Sequence, residues 1–309
     1  MAKATAGKGS SLVRLQWRLE YALVAGFYRM VRRLALPRRL ALGRRLGRLA
    51  FLVDRRHARV ARENLRHAYP DADPLWRARV ARESFENLGR LLVEVLVEED
   101  EAQLLPQRFE VEGWENFERV ARGGTGYFLL SGHIGNWEWV AVYQGLMGHP
   151  LWMITRPLDN PLLERLLATR RECTGNRIVH KRNALRETVK GIRTGKGVAF
   201  ILDQNFPEAG AHFVPFFGRQ AATTPALGTL AVRLKVPIVP IFAHPLPDGR
   251  YRLVYEPPLL PPDSGDAAAD ALTVTAAATS RIEQAVRAAP NAWFWMHRRW
   301  RTQPPTRMP

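Results

Sequence analysis

The chain has 309 residues, and its 46% hydrophobic content is ample for a sizeable core in one large domain or two. A net charge of +17 points to anionic partners: nucleic acid, an anionic membrane face, acidic carrier proteins or phosphorylated lipids. The single cysteine, Cys173, excludes an intramolecular disulfide and fits a reducing compartment.

Met1 to Ser10 is polar and Lys-rich, and no small-residue cleavage site follows an apolar core, so it does not read as a secretory signal. No apolar stretch is long enough to span a bilayer. Leu12 to Leu36 is predicted as a helix, with Leu12, Leu15, Leu19, Leu23 and Phe27 on one stripe and Arg14 and Arg18 on another face. Pro37 ends this helix or opens the next. Leu42, Leu46, Leu49 and Val53 form a second stripe beside Arg44, Arg45 and Arg48. Such a basic amphipathic segment, residues 1–53, reads as one that lies on a membrane surface, and the same pattern also fits a helical hairpin with a solvated basic face.

Residues 54–309 read as one catalytic-sized domain. Ala58 to Ala68 continues helical to Tyr69-Pro70. Asp73 is a good N-cap and Pro74 a good first residue for a long helix to about Val97. Short strands and helices then alternate: strands at Arg108–Glu112, Gly126–Leu130, Leu151–Ile154, Gly197–Leu202, Ile238–Phe242 and Tyr251–Tyr255. The helices fall near 161–171, 184–192, 225–234 and 267–288. This order predicts an α/β fold, a mixed and mostly parallel sheet flanked by helices. Ligands in such sheets bind near the carboxyl ends of strands, where His133, Arg156 and Asp203 fall.

The central stretch is Tyr127 to Trp139. A buried apolar strand ends in Ser131-Gly132, His133 follows, and Asn136 is a plausible N-cap for a helix with Glu138 in its first turn. A His and a Glu five positions apart can meet across such a corner, and a carboxylate on one imidazole nitrogen prepares the other to take a proton. The same residues also fit a His that caps a helix or bonds backbone near the core. No nucleophile elbow, zinc-protease motif, Walker loop or dinucleotide fingerprint competes, and no Cys/His cluster completes a metal site.

The string Ser131-Gly132-His133-Ile134-Gly135-Asn136-Trp137-Glu138 resembles the H-x4-D/E motif of glycerolipid-type acyltransferases, in the form found in the lipid A biosynthesis late acyltransferases (lauroyl and myristoyl transferases). Further blocks extend the likeness over nearly the whole chain: Asn64-Leu65 through Pro70, Thr155-Arg156-Pro157, Asp203-Gln204-Asn205, Phe213 through Arg219, Val236 through Pro240, and Trp293 through Arg301. The resemblance implies O-acyl transfer from an acyl-carrier-protein thioester to a hydroxyl of a lipid A precursor in lipopolysaccharide biosynthesis. It implies His133 as general base oriented by Glu138. Arg156 would grip an anionic acceptor group, with Asp203, Gln204, Asn136 and Gly218 around the substrate. Asp203 could instead form a structural ion pair, for instance with Arg156; Arg156 could pair with Asp159. The aromatics of Phe213–Arg219 could line an acyl channel or fill core. The Trp-rich carboxyl-terminal string suits a headgroup boundary, and its His297 is a second candidate base.

No metal and no cofactor beyond the thioester co-substrate is implied. Partners would be an acidic acyl carrier protein, a phosphorylated lipid and an anionic membrane surface rather than nucleic acid. The location would be the cytoplasmic face of the inner membrane, peripheral or monotopic. Transfer to a lysophospholipid or glycolipid is the alternative within the superfamily, decided by an acceptor panel. A non-catalytic basic membrane- or nucleic-acid-binding protein is the alternative of another class; its binding would fall steeply with salt and survive loss of His133.

Overall fold

The computed structural model describes residues 11–97, 102–180 and 184–305. The Met1 to Ser10 stretch, read above as no secretory signal, lies outside them. Four helices come first: α1 (Ser11–Val31), α2 (Leu36–Val53), α3 (Arg55–Ala68) and α4 (Pro74–Leu96). The first predicted helix stops at Val31, and Pro37 sits in the opening turn of α2, where its missing N–H costs nothing. Asp54 and Asp73 cap α3 and α4 through their carboxylates. α2 packs along α4 at a separation only glycine allows: a Cβ on Gly47 would stand 2.0 Å from the Phe85 carbonyl oxygen.

A 3₁₀ segment (Ala102–Arg108) leads into β1 (Phe109–Glu112), α5 (Trp114–Ala121), β2 (Tyr127–Ser131), α6 (Trp137–Leu146), β3 (Leu151–Thr155), α7 (Pro161–Glu172) and β4 (Arg177–His180). Then follow α8 (Ala184–Arg193), β5 (Gly197–Ile201), the hairpin β6 (His212–Phe216) and β7 (Arg219–Thr223), α9 (Ala226–Leu234), β8 (Ile238–Pro245), β9 (Tyr251–Tyr255) and α10 (Ala267–Ala288). α5, β4 and the β6–β7 hairpin were not among the elements expected from the pattern. Each is short, and none carries a long periodic stripe.

The main sheet runs β1-β9-β8-β2-β5-β3-β4. β8, β2, β5, β3 and β4 are mutually parallel, while β9 runs antiparallel to β8 and carries β1 alongside it. This is the mixed, mostly parallel α/β sheet that the element order implied. All five residues of β2 are buried, as expected for a strand covered on both faces. On one face, Leu129, Met153 and Ile241 pack beneath α6 with Trp139 and Val140. On the other, Phe128, Leu130, Val198 and Phe242 meet α3, α4, α9, α10 and the carboxyl-terminal segment. β2 is therefore the innermost strand of the molecule, and its carboxyl end opens where neighbouring strands end too.

Candidate active site

Strand register makes the site. Ser131 of β2 is paired with Ile201 of β5, so His133 and Asp203 each lie two residues past a matched pair. The His133 ring donates Nδ1–H to Asp203 Oδ1 at 2.7 Å, and the His133 backbone N–H donates to Asp203 Oδ2 at 2.7 Å. The indole of Trp293 gives a third bond to Oδ2, also 2.7 Å. Asp203 is 3% exposed, so a carboxylate there needs all three donors. Burial alone would raise its pKa; the His133 charge and these hydrogen bonds outweigh burial and hold it down to about 2.

The ionised Asp203 fixes the imidazole tautomer with its proton on Nδ1 and leaves Nε2 as the ring's acceptor. Burial disfavours the charged ring, yet Asp203, with a further contribution from Glu138, raises the His133 pKa above its ordinary 6.5. The side chain keeps 19% of its surface exposed, so the ring is reachable. Gln204 Nε2 stands 3.4 Å from His133 Nε2, and the Trp137 ring packs edge-on against the imidazole at 4.9 Å.

The chain can make this corner because Gly135 sits at φ +58° with the Ala243 carbonyl pressed against it; a Cβ would lie 1.8 Å from that oxygen. Asn136 then caps α6, accepting from the Trp139 N–H at 3.1 Å, as expected.

His133 opens onto a cavity of about 650 Å³. One wall, beneath α6, is Leu129, Val140, Ala141, Leu151, Met153, Ala199 and Ile241; another is Ile154, Phe200, Leu185, Ala226 and Leu230. Polar groups gather at one end: Glu138, Arg156, Arg171, Gln204 and Thr224. The hydroxyls of Thr155 and Thr188 also face this space, and neither has a protein partner among the described residues. An apolar cleft with a few convergent polar groups is the usual form of a small-molecule site, and its volume lies in the usual range.

Several expected roles move. Glu138 does not touch the His133 ring. Its carboxylate takes two bonds from Arg171, Nε at 2.8 Å and the terminal nitrogen at 2.6 Å, and one from the Trp137 indole at 3.2 Å. From the first turn of α6 it points along the helix side towards α7, and Asp203 occupies the place at Nδ1. Among the described residues, Asp203 pairs with neither Arg156 nor another arginine. Arg156 is exposed, lines the cavity and forms no ion pair with Asp159.

Asn136 is wholly buried, and its amide donates to Glu94 Oε2 at 3.1 Å. Glu94 is in turn held by Arg90, Arg108 and Tyr251, so Asn136 braces the helix start instead of meeting substrate. Gly218 forms the tip of the β6–β7 hairpin with Phe217, both at positive φ, and lies away from the cavity. Phe216 and Phe217 fill core. His297 Nε2 accepts the Asn205 backbone N–H at 2.8 Å, and burial lowers its pKa to about 4; it has no lone pair left for a substrate.

The carboxyl-terminal string is interior rather than at a boundary: Trp293, Trp295 and Arg299 are buried, and the Arg299 guanidinium donates to the carbonyls of Gln204 and Ala222 and to Thr223. Ser131 donates its hydroxyl to the Ile241 carbonyl at 2.8 Å and serves the strand. Arg171 and Trp293 are site residues that the sequence reading did not single out. Trp293 stood in a matched block, whereas Arg171 carried no signal beyond its basic last-turn position.

An imidazole held by a buried carboxylate at a strand end faces a long apolar cleft lined also by two arginines, an arrangement chemically able to take a proton beside a greasy group. The sequence profile of the bacterial lipid A biosynthesis acyltransferases matches residues 9–302, and the chain belongs to that family. It is 30% identical over 270 residues to the lipid A biosynthesis lauroyltransferase of Escherichia coli K12, covering 85% of each chain. It is likewise 30% identical over 276 residues to the palmitoleoyltransferase of that strain, with 85% of each covered, and 24% over 265 residues to its myristoyltransferase, with 84% and 80% covered.

Proposed function

We propose that this acyltransferase moves a fatty acyl group from an acyl-carrier-protein thioester to a hydroxyl of a phosphorylated lipid A precursor, with His133 as general base and Asp203 as its orienting partner. The observation that carries the reading is that Nε2 of His133 is the ring's acceptor, facing the apolar cavity with only the long 3.4 Å contact from Gln204, while Nδ1 is fixed by Asp203. Nε2 takes the hydroxyl proton as the oxygen attacks the thioester carbonyl. The tetrahedral intermediate then expels the thiolate, which recovers that proton from the imidazolium. A new ester C–O bond replaces the C–S bond, with no covalent acyl-enzyme. Gln204, whose amide nitrogen lies 3.4 Å from His133 Nε2, would move from the ring to donate to the developing oxyanion.

Arg156 and Arg171, the latter fixed by Glu138, would bind phosphate or sugar oxygens; a guanidinium presents paired donors for such groups. α1 supports delivery from a bilayer. Leu12, Leu15, Leu19 and Leu23 are exposed on it beside Arg14 and Arg18, and no helix among the described residues is long and apolar enough to cross a membrane. Asn160, just before α7, donates to the Trp17 carbonyl and to Glu20, which seats α1 against the loop that carries Arg156. A peripheral attachment at the cytoplasmic leaflet would bring cavity mouth and lipid headgroups together. Purified enzyme given an acyl-carrier-protein thioester and a phosphorylated lipid A precursor should form the ester, read by mass spectrometry, and His133→Ala should not. Near-full activity of His133→Ala would refute the base assignment.

A further inference from the structure

Gln144 is buried in α6 with 0% exposure, and neither its amide nitrogen nor its amide oxygen has a hydrogen-bond partner among the described residues. A buried polar side chain left this way calls for an explanation. Its position supplies one. Trp137, Val140 and Ala141 line the cavity from α6, and Gln144 lies on the same helical face, one turn deeper. Along the sheet the same wall runs from Thr155 at the mouth to Leu151 at the far end of β3, a depth of about 13 Å at strand rise. Gln144 itself is not part of the lining; the cavity ends before it.

We propose that Gln144 is the specificity-determining floor of the arm beneath α6, and that this arm takes the donor acyl chain and ends it at a set length. The inference rests on the acyl-transfer reading above. A chain that fits lays its methylenes on Leu129, Met153 and Val140. A longer chain drives its terminal carbons against an amide that has no room to turn away and no partner to compensate it.

The test is a donor panel of saturated acyl-carrier-protein thioesters, from octanoyl to stearoyl, with kcat/KM measured for wild type, Gln144→Ala, Gln144→Val and Gln144→Leu. Gln144→Ala should move the optimum to a donor at least one two-carbon step longer, the longer donor gaining about 100-fold over the original optimum, because each of the two added methylenes in such a pocket is worth about tenfold or more. Gln144→Val should shift it less, and Gln144→Leu, which keeps the bulk, should leave it in place while raising the melting temperature. An unchanged profile in an active Gln144→Ala and Gln144→Val overturns the proposal. So does a change of preference for the acceptor's chains with the donor profile fixed. Absence of transfer in wild type would instead overturn the acyl-transfer reading beneath it, whereas survival of transfer in His133→Ala would overturn only the base assignment.

Discussion

Two regions pair large apolar side chains with arginines: α1 with α2 at one end of the chain, and the Trp293–Arg301 string at the other. In composition both suit a membrane boundary, yet the fold treats them oppositely. Leu12 and Leu23 of α1 are 77% and 75% exposed, whereas Trp293 and Trp295 are 1% and 0% exposed. The arginines follow suit: Arg299 is buried among backbone carbonyls, while Arg14 and Arg18 face outward. A guanidinium beside aromatics is thus no signature of a headgroup zone. What separates the two is whether each polar atom finds a fixed partner. The indoles of Trp293, Trp295 and Trp300 donate to Asp203, to the Pro290 carbonyl and to the Phe216 carbonyl. One region braces the carboxylate that holds His133; the other presents a surface.

The largest effect should come from the carboxylate that the buried string supports. Asp203→Asn should lower kcat/KM by about 100-fold or more, since it removes the charge that orients and supports the imidazole. Its pH profile is the sharper readout. In wild type the active, neutral His133 is populated above a pKa raised over 6.5, so activity should rise with pH through that value and then level off. Without the Asp203 charge, burial is opposed only by the smaller contribution of Glu138, and the acid limb should move to lower pH. The stability linkage has the opposite sense. A raised folded-state pKa stabilises the protein at low pH, and that contribution is lost as pH climbs through it. For Asp203, held down to about 2, stability is present above the ordinary carboxylate range and lost as pH falls towards that value.

Arg299→Met comes next, expected to cost about 3 kcal/mol of stability because buried acceptors lose charge-assisted bonds; thermal or denaturant melting checks it. Trp293→Phe keeps the ring and drops only the donor to Asp203. It should cost about 1.5 kcal/mol and raise the apparent His133 pKa in the pH–rate profile, because the carboxylate facing the ring is then less neutralised. A Trp293→Phe enzyme with an unaltered profile would mean the indole braces the fold and not the site. The smallest stability effect belongs to the exposed region. Changing Leu12, Leu15, Leu19 and Leu23 to Ser together should leave the melting temperature within about 1 °C, since those side chains are already in water. Sedimentation with anionic vesicles should nevertheless fall sharply. Replacing Arg14 and Arg18 with Gln should weaken that binding by about 1 kcal/mol each and flatten its salt dependence. Equal vesicle binding by all these variants would remove α1 as the attachment surface.

Much of the fold was legible because its signals are local. Asp73 before Pro74 begins α4, Asn160 before Pro161 begins α7, and the apolar runs at Tyr127 and Gly197 are strands, all within a residue or two of the pattern. The helix Ala267–Ala288 appears at the bounds its composition set. His133 was legible for the same reason: strand, turn and capped helix lie in one stretch of chain. Its partner was not. The local pattern offers Glu138, five positions on, but α6 turns that carboxylate towards Arg171, and the residue at Nδ1 comes from seventy positions away.

From the order of residues alone came the periodic elements and their caps, the histidine at a strand end and the basic, apolar-striped helix at the start. These depend on neighbours within a turn or a strand, where side-chain spacing and backbone preference act directly. The alignment of β2 beside β5, the three donors that converge on Asp203, the cleft under α6 and the opposite fates of two similar-looking ends are tertiary decisions. They depend on which strands pair and which polar atoms must be satisfied once water is gone, and no short stretch of sequence carries that information.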